Sequence, residues 1–128
     1  MQWIAIGLAS IAAAFHVLAF VLESVLWMHR SVYRRFGVAG DADAEAMRVM
    51  AFNQGFYNLA LALVVIIGLV LMPSSGDAEL VGKSLICAAT GCMAIAGIAL
   101  AASGRRHLMA ATLQFTPAAA ACVITWLV

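Results

Sequence analysis

Charge is what this sequence has least of. Only 10% of its 128 residues are charged, against 66% hydrophobic, and the mean hydropathy is +1.05. A water-soluble domain carries about a quarter charged residues to cover its surface, so that class is excluded. The charges nearly cancel, at a net +1, so no nucleic acid or acidic partner is expected. Cysteine is scarce too. Cys87, Cys92 and Cys122 all lie in apolar stretches and form no C-x-x-C pair, which excludes a disulfide framework and leaves small, buried packing residues. No low-complexity tract, internal repeat or long linker divides the chain, and a single domain over 1–128 is expected. The first apolar stretch lacks the basic start of a cleaved signal peptide and carries His16 and Glu23, so it reads as a span.

What remains is four apolar blocks, roughly 3–28, 49–72, 80–103 and 108–128. Their hydrophobicity runs nearly all round rather than along one stripe, as in helices that face lipid. Each block reaches the ~20 residues that a helix rising 1.5 Å per residue needs to cross a bilayer. The breaks are His29–Arg48, the turn sequence P-S-S-G-D at Pro73–Asp77, and S-G-R-R-H at Ser103–His107. The expected fold class is therefore all-α, a four-helix antiparallel transmembrane bundle. Arg30, Arg34, Arg35 and Arg48 flank the first break and Arg105 and Arg106 lie in the third, while Lys83 alone belongs to the other side. The positive-inside rule puts the first and third loops in the cytoplasm and both termini outside an inner membrane. Trp3 and Trp126 fit aromatic belts at the outer face. In the first loop, Asp41 is expected to cap a short helix, with Asp43 and Glu45 in its first turn, leading into Arg48 and the second block. The arginines there would meet anionic membrane lipids. Cys92 with Ala96 and Gly97 with Ala101 have the small-xxx-small spacing of close helix packing.

Polar side chains in the hydrocarbon are costly and generally face a bundle interior for a purpose. Here they are His16, Glu23, Asn53, Gln54, Tyr57, Asn58 and Gln114. His16, Phe20, Glu23 and Trp27 would share one stripe, and Asn53/Tyr57 and Gln54/Asn58 form adjacent ridges. From the inner boundary, Glu23 would lie ~8 Å deep, Asn53 ~8 Å, Gln114 ~10 Å, Tyr57 ~14 Å, Asn58 ~15 Å and His16 ~18 Å. Three helices thus place polar groups in one layer, and a single site is expected. Pro117, one turn past Gln114, frees the Leu113 carbonyl and is expected to kink the fourth helix.

Several chemistries fail on residue count. A bis-histidine haem needs a second deep histidine, and His29 and His107 sit at the membrane edge. A di-iron site needs more carboxylates, zinc more ligands, and a Ser-His-Asp triad its acid. No Gly-rich phosphate loop is present, so no cofactor and no metal is expected. Four readings stay open. In the first, His16, Glu23, Trp27, Asn53, Gln54, Tyr57, Asn58 and Gln114 bind a small lipophilic molecule. In the second, an acid/base enzyme (an isomerase, cyclase or epoxide-opening hydrolase) uses Glu23 with His16 as its partner and Tyr57 with the amides as binders. The third is a proton-coupled transporter working as a homo-oligomer, most simply a dimer. The fourth is a structural subunit whose amides only join helices.

The order H-x6-E-x3-W (His16, Glu23, Trp27), F-G (Phe36, Gly37) and N-Q-G-x-Y-N (Asn53, Gln54, Gly55, Tyr57, Asn58) resembles a group of small bacterial and fungal membrane proteins catalogued as domain of unknown function 1304. The resemblance covers nearly the whole chain. It implies a four-helix membrane fold, and it implies no activity and no catalytic roles.

Overall fold

A computed structural model describes residues 1–128. Its elements are helices α1 (Gln2–Phe20), extended by a wide π turn over Val21–Val25, α2 (Arg30–Tyr33), α3 (Asp41–Leu71), α4 (Asp77–Ala102) and α5 (Leu108–Thr125). Single 3₁₀ turns cover Arg34–Phe36 and Arg105–His107. Four helices are long and apolar enough to cross a membrane: Gln2–Val25, Asp41–Leu71, Asp77–Ala102 and Arg105–Thr125. The chain is an all-α, antiparallel four-helix bundle and a multi-pass membrane protein.

Two compact units are distinguished, Met1–Phe15 with Leu61–Val128, and His16–Ala60. The core of the first is built largely from alanine, with Ala5, Ala9, Ala12, Ala62, Ala89, Ala118 and Ala121 buried around Val65, Ile86 and Met93. Without water, burial of apolar area does not drive helices together; close van der Waals approach does, and small side chains permit it. The hairpin of α3 and α4 uses this fully: a Cβ on Gly82 would lie 2.6 Å from the Met72 nitrogen and 2.8 Å from the Gly68 carbonyl. Gly97 likewise faces Phe115 of α5, whereas Cys92 and Ala96 are exposed. Only one of the two small-residue pairs therefore packs within the chain. Cys87 and Cys122 are half-buried, with the Cys122 thiol 3.6 Å from the Cys87 carbonyl. The expectation of buried packing cysteines is met only halfway at Cys87 and Cys122 and fails at Cys92, because α4 turns that face outward.

In the second unit, Trp27, Tyr33, Val38, Ala44 and Ala51 form a smaller core. The first loop holds the short α2, but the helix that begins at Asp41 is not short. Asp41 opens a continuous 31-residue helix through Leu71, since no glycine or proline interrupts the stretch from Asp41 to Gln54. The loop before it ends a helical turn at Gly37, whose φ of 82° is the left-handed stop that glycine adopts without cost. Its arginines Arg30, Arg34 and Arg35 are exposed. Further on, α5 runs through Pro117 as one helix.

Candidate functional site

The first span does not end as a straight helix. From Val21 to Val25 it widens to π geometry, closed by a 2.9 Å bond from the Leu26 amide to the Val21 carbonyl. Such single wide turns gather at functional sites because they re-aim side chains. This one carries Glu23 and Ser24. It also ends the helix before Trp27, so the helical stripe joining Glu23 to Trp27 does not form; the extra residue in the turn breaks the i, i+4 register.

Opposite this turn, α3 presents Ala51, Gly55 and Asn58, spaced four and three apart and so on one face. Gly55 is the close-approach point. A Cβ there would fall 2.1 Å from Ser24 Oγ and 3.1 Å from the Ser24 nitrogen. With the backbones this close, Ser24 Oγ donates to the Phe52 carbonyl at 2.8 Å and Asn58 Nδ2 donates to Glu23 Oε2 at 2.7 Å. Phe20 meets Phe56 edge-on at 5.2 Å. Trp27 returns by a different route: it is 5% exposed, its ring lies 5.4 Å from Phe36, and its indole N–H donates to the Ala44 carbonyl at 2.8 Å. The loop is pinned once more by the Tyr33 hydroxyl, which donates to Asp41 Oδ1.

These contacts enclose a cavity of about 300 Å³, lined by Glu23, Ser24, Val25, Trp27, Met28, His29, Arg48 and Phe52. Its lining combines apolar and aromatic side chains with a carboxylate, a hydroxyl, an imidazole and a guanidinium. Arg48 also reaches Glu45 at 3.5 Å, with both side chains mostly exposed, a weak pair. No group of three metal-binding side chains occurs.

Of the residues singled out from the sequence, Glu23, Asn58 and Trp27 come together here. His16 is buried and has contacts of its own but is not among the lining residues. Asn53, Gln54 and Tyr57 do not join the cavity. They are exposed, Tyr57 by 63%. The inward face of α3 is chosen by its small residues, and polarity does not decide it. Gln114 belongs to the other unit, where its amide donates to the Met93 carbonyl at 3.2 Å. His29 and Arg48 were missed because each, taken alone, is a membrane-edge residue. The signal available was that the first loop must bring its two ends back to the same level.

Residues 10–126 match the family model described as protein of unknown function (DUF1304). No curated protein and no solved structure matches.

Proposed function

Because the chain belongs to this family of unknown function, DUF1304, which carries no assigned activity, we propose a function from the cavity itself: the protein binds a small amphiphile at the end of its first span. The single observation behind this is the lining, in which Glu23 and Ser24 are fixed by α3 while Trp27, Met28 and Phe52 supply apolar surface. A polar head carrying a hydroxyl or amine fits Glu23, an acidic group fits Arg48, and an apolar body fits Trp27, Met28 and Phe52. The excess of arginine in the first and third loops supports a cytoplasmic position for this end of the bundle, in an inner membrane.

The test is native mass spectrometry of protein extracted directly into lipid nanodiscs. Wild type should release one small amphiphile per chain, and Glu23→Gln and Arg48→Ala should each lose it. Equal retention in both variants, or an empty wild type, overturns the reading. If Glu23→Gln changes only stability, the Glu23–Asn58 bond is helix glue.

A second reading is favoured by one fact: Glu23 and His29 line the same cavity, the pairing that proton transfer requires. In that case Glu23→Gln retains the amphiphile but abolishes its conversion.

A further inference from the structure

The cavity leaves one set of membrane polar groups unexplained. Asn53, Gln54 and Tyr57 are exposed on α3, Asn53 and Tyr57 directed away from the Ala51–Gly55–Asn58 face and Gln54 on the flank between that face and theirs, and no other side chain hydrogen-bonds them. Counted from Arg48, the last charge of the helix, they lie ~8, ~9 and ~14 Å into the span. Hydrocarbon offers no hydrogen bond there, and an unpaired amide at that depth is costly. The three are not scattered. Asn53 and Tyr57 fall on a seam with Ala46, Met50 and Ala60, all exposed, whose spacing alternates four, three, four, three. That is the register by which one helix packs along another. Small alanines stand at both ends of the seam, where backbones can come close, and the polar residues stand at its middle.

We propose that Asn53, Gln54 and Tyr57 form the hydrogen-bonded centre of a parallel two-fold interface with a second copy of this chain. The side-chain chemistry selects that partner. A carboxamide carries both donors and an acceptor and so complements itself. A two-fold axis along the membrane normal sets Asn53 opposite Asn53 at identical depth, with no requirement for a partner of opposite charge. The face carries no charge from Val49 to Ala60, so no like-charge repulsion opposes the approach. The interface is separate from the amphiphile cavity, because Asn53, Gln54 and Tyr57 are not among the cavity residues.

The experiment is single-molecule photobleaching of labelled protein in lipid vesicles over a range of protein-to-lipid ratios. Wild type should dimerise. Asn53→Leu with Gln54→Leu should weaken dimerisation about tenfold, as expected for losing two interhelical amide bonds, and Tyr57→Phe should weaken it less. Unchanged helicity by circular dichroism separates this from misfolding. In a background with Cys87, Cys92 and Cys122 changed to alanine, oxidation should cross-link Met50→Cys into dimers and leave Ile98→Cys, exposed on α4, monomeric. A monomeric wild type, a dimer indifferent to the amide substitutions, or cross-linking equal at both sites each overturns the interface, as does a small molecule or lipid found held by these three residues in a monomer.

Discussion

Replacing Gly55 by alanine tests how the site is assembled. The new methyl would sit 2.1 Å from Ser24 Oγ, so the hydroxyl must swing away and give up its bond to the Phe52 carbonyl, a loss of about 1 kcal/mol. Rotation does not relieve everything: Ser24 Cβ and the Ser24 nitrogen remain at 3.1 Å. The π turn must retreat by a few tenths of an ångström, and overpacking of this kind costs about 1–3 kcal/mol. Alanine returns about 1 kcal/mol of helix propensity. The net expectation is a destabilisation of about 1–3 kcal/mol, read by reversible unfolding in mixed micelles with circular dichroism. Ser24→Ala alone should cost about 1 kcal/mol. The double variant should cost less than the sum of the two, because the worst contact of the first substitution is with the atom removed by the second. Strict additivity, or a Gly55→Ala protein as stable as wild type, would refute the proposed close approach of the π turn to α3.

At Gly82 the atoms a methyl would meet are all backbone, the Met72 nitrogen, the Gly68 carbonyl and the Leu71 carbonyl carbon. No side chain can rotate aside, so Gly82→Ala should cost about 3 kcal/mol in the same unfolding assay, more than Gly55→Ala. The Tyr33 phenol is held above its ordinary value of 10.0, first by its hydrogen bond to Asp41, then by burial and by the Asp41 charge, with Arg30 and Arg34 opposing. The folded state thus prefers the neutral phenol. Its contribution is complete below the ordinary tyrosine range and is lost as pH rises through the elevated value. In a Tyr57→Phe background, where Tyr33 is the remaining tyrosine, absorbance titration should show late ionisation. Asp41→Asn should bring it back toward normal, and normal titration of the parent would contradict the bond.

Much of the fold was legible in the sequence because membrane insertion depends on composition and length. Blocks of apolar residues separated by Pro73–Asp77 and Ser103–His107 locate helices whatever they pack against, and the observed spans differ mainly at their ends. The first end was misplaced because a π turn has no composition signature: nothing in V-L-E-S-V marks it. The second block begins at 49 and α3 at Asp41, because charged residues at Asp41–Arg48 argue against hydrocarbon but not against helix.

The site was half legible. Glu23 and Asn58 stood out as polar groups where polar groups are expensive, and the structure joins them. The other amides stood out by the same rule and lie elsewhere: Asn53 faces the opposite way, Gln54 is exposed on the flank, and Gln114 bonds the Met93 carbonyl in the other unit. That rule establishes that a buried amide needs a partner, but it does not say on which side the partner lies. The choice was made by Ala51, Gly55 and the residues in line with them, where small side chains let backbones approach most closely.

The sequence by itself determined the number of helices, their membrane character and the list of polar residues at depth, because these follow from each residue's transfer from water to lipid. Only the tertiary structure decided that the first span ends in a wide turn, that His29 and Arg48 border the cavity, and that Asn53, Gln54 and Tyr57 lie outside it. Those outcomes depend on contacts between distant segments, which no single residue's solvation preference contains.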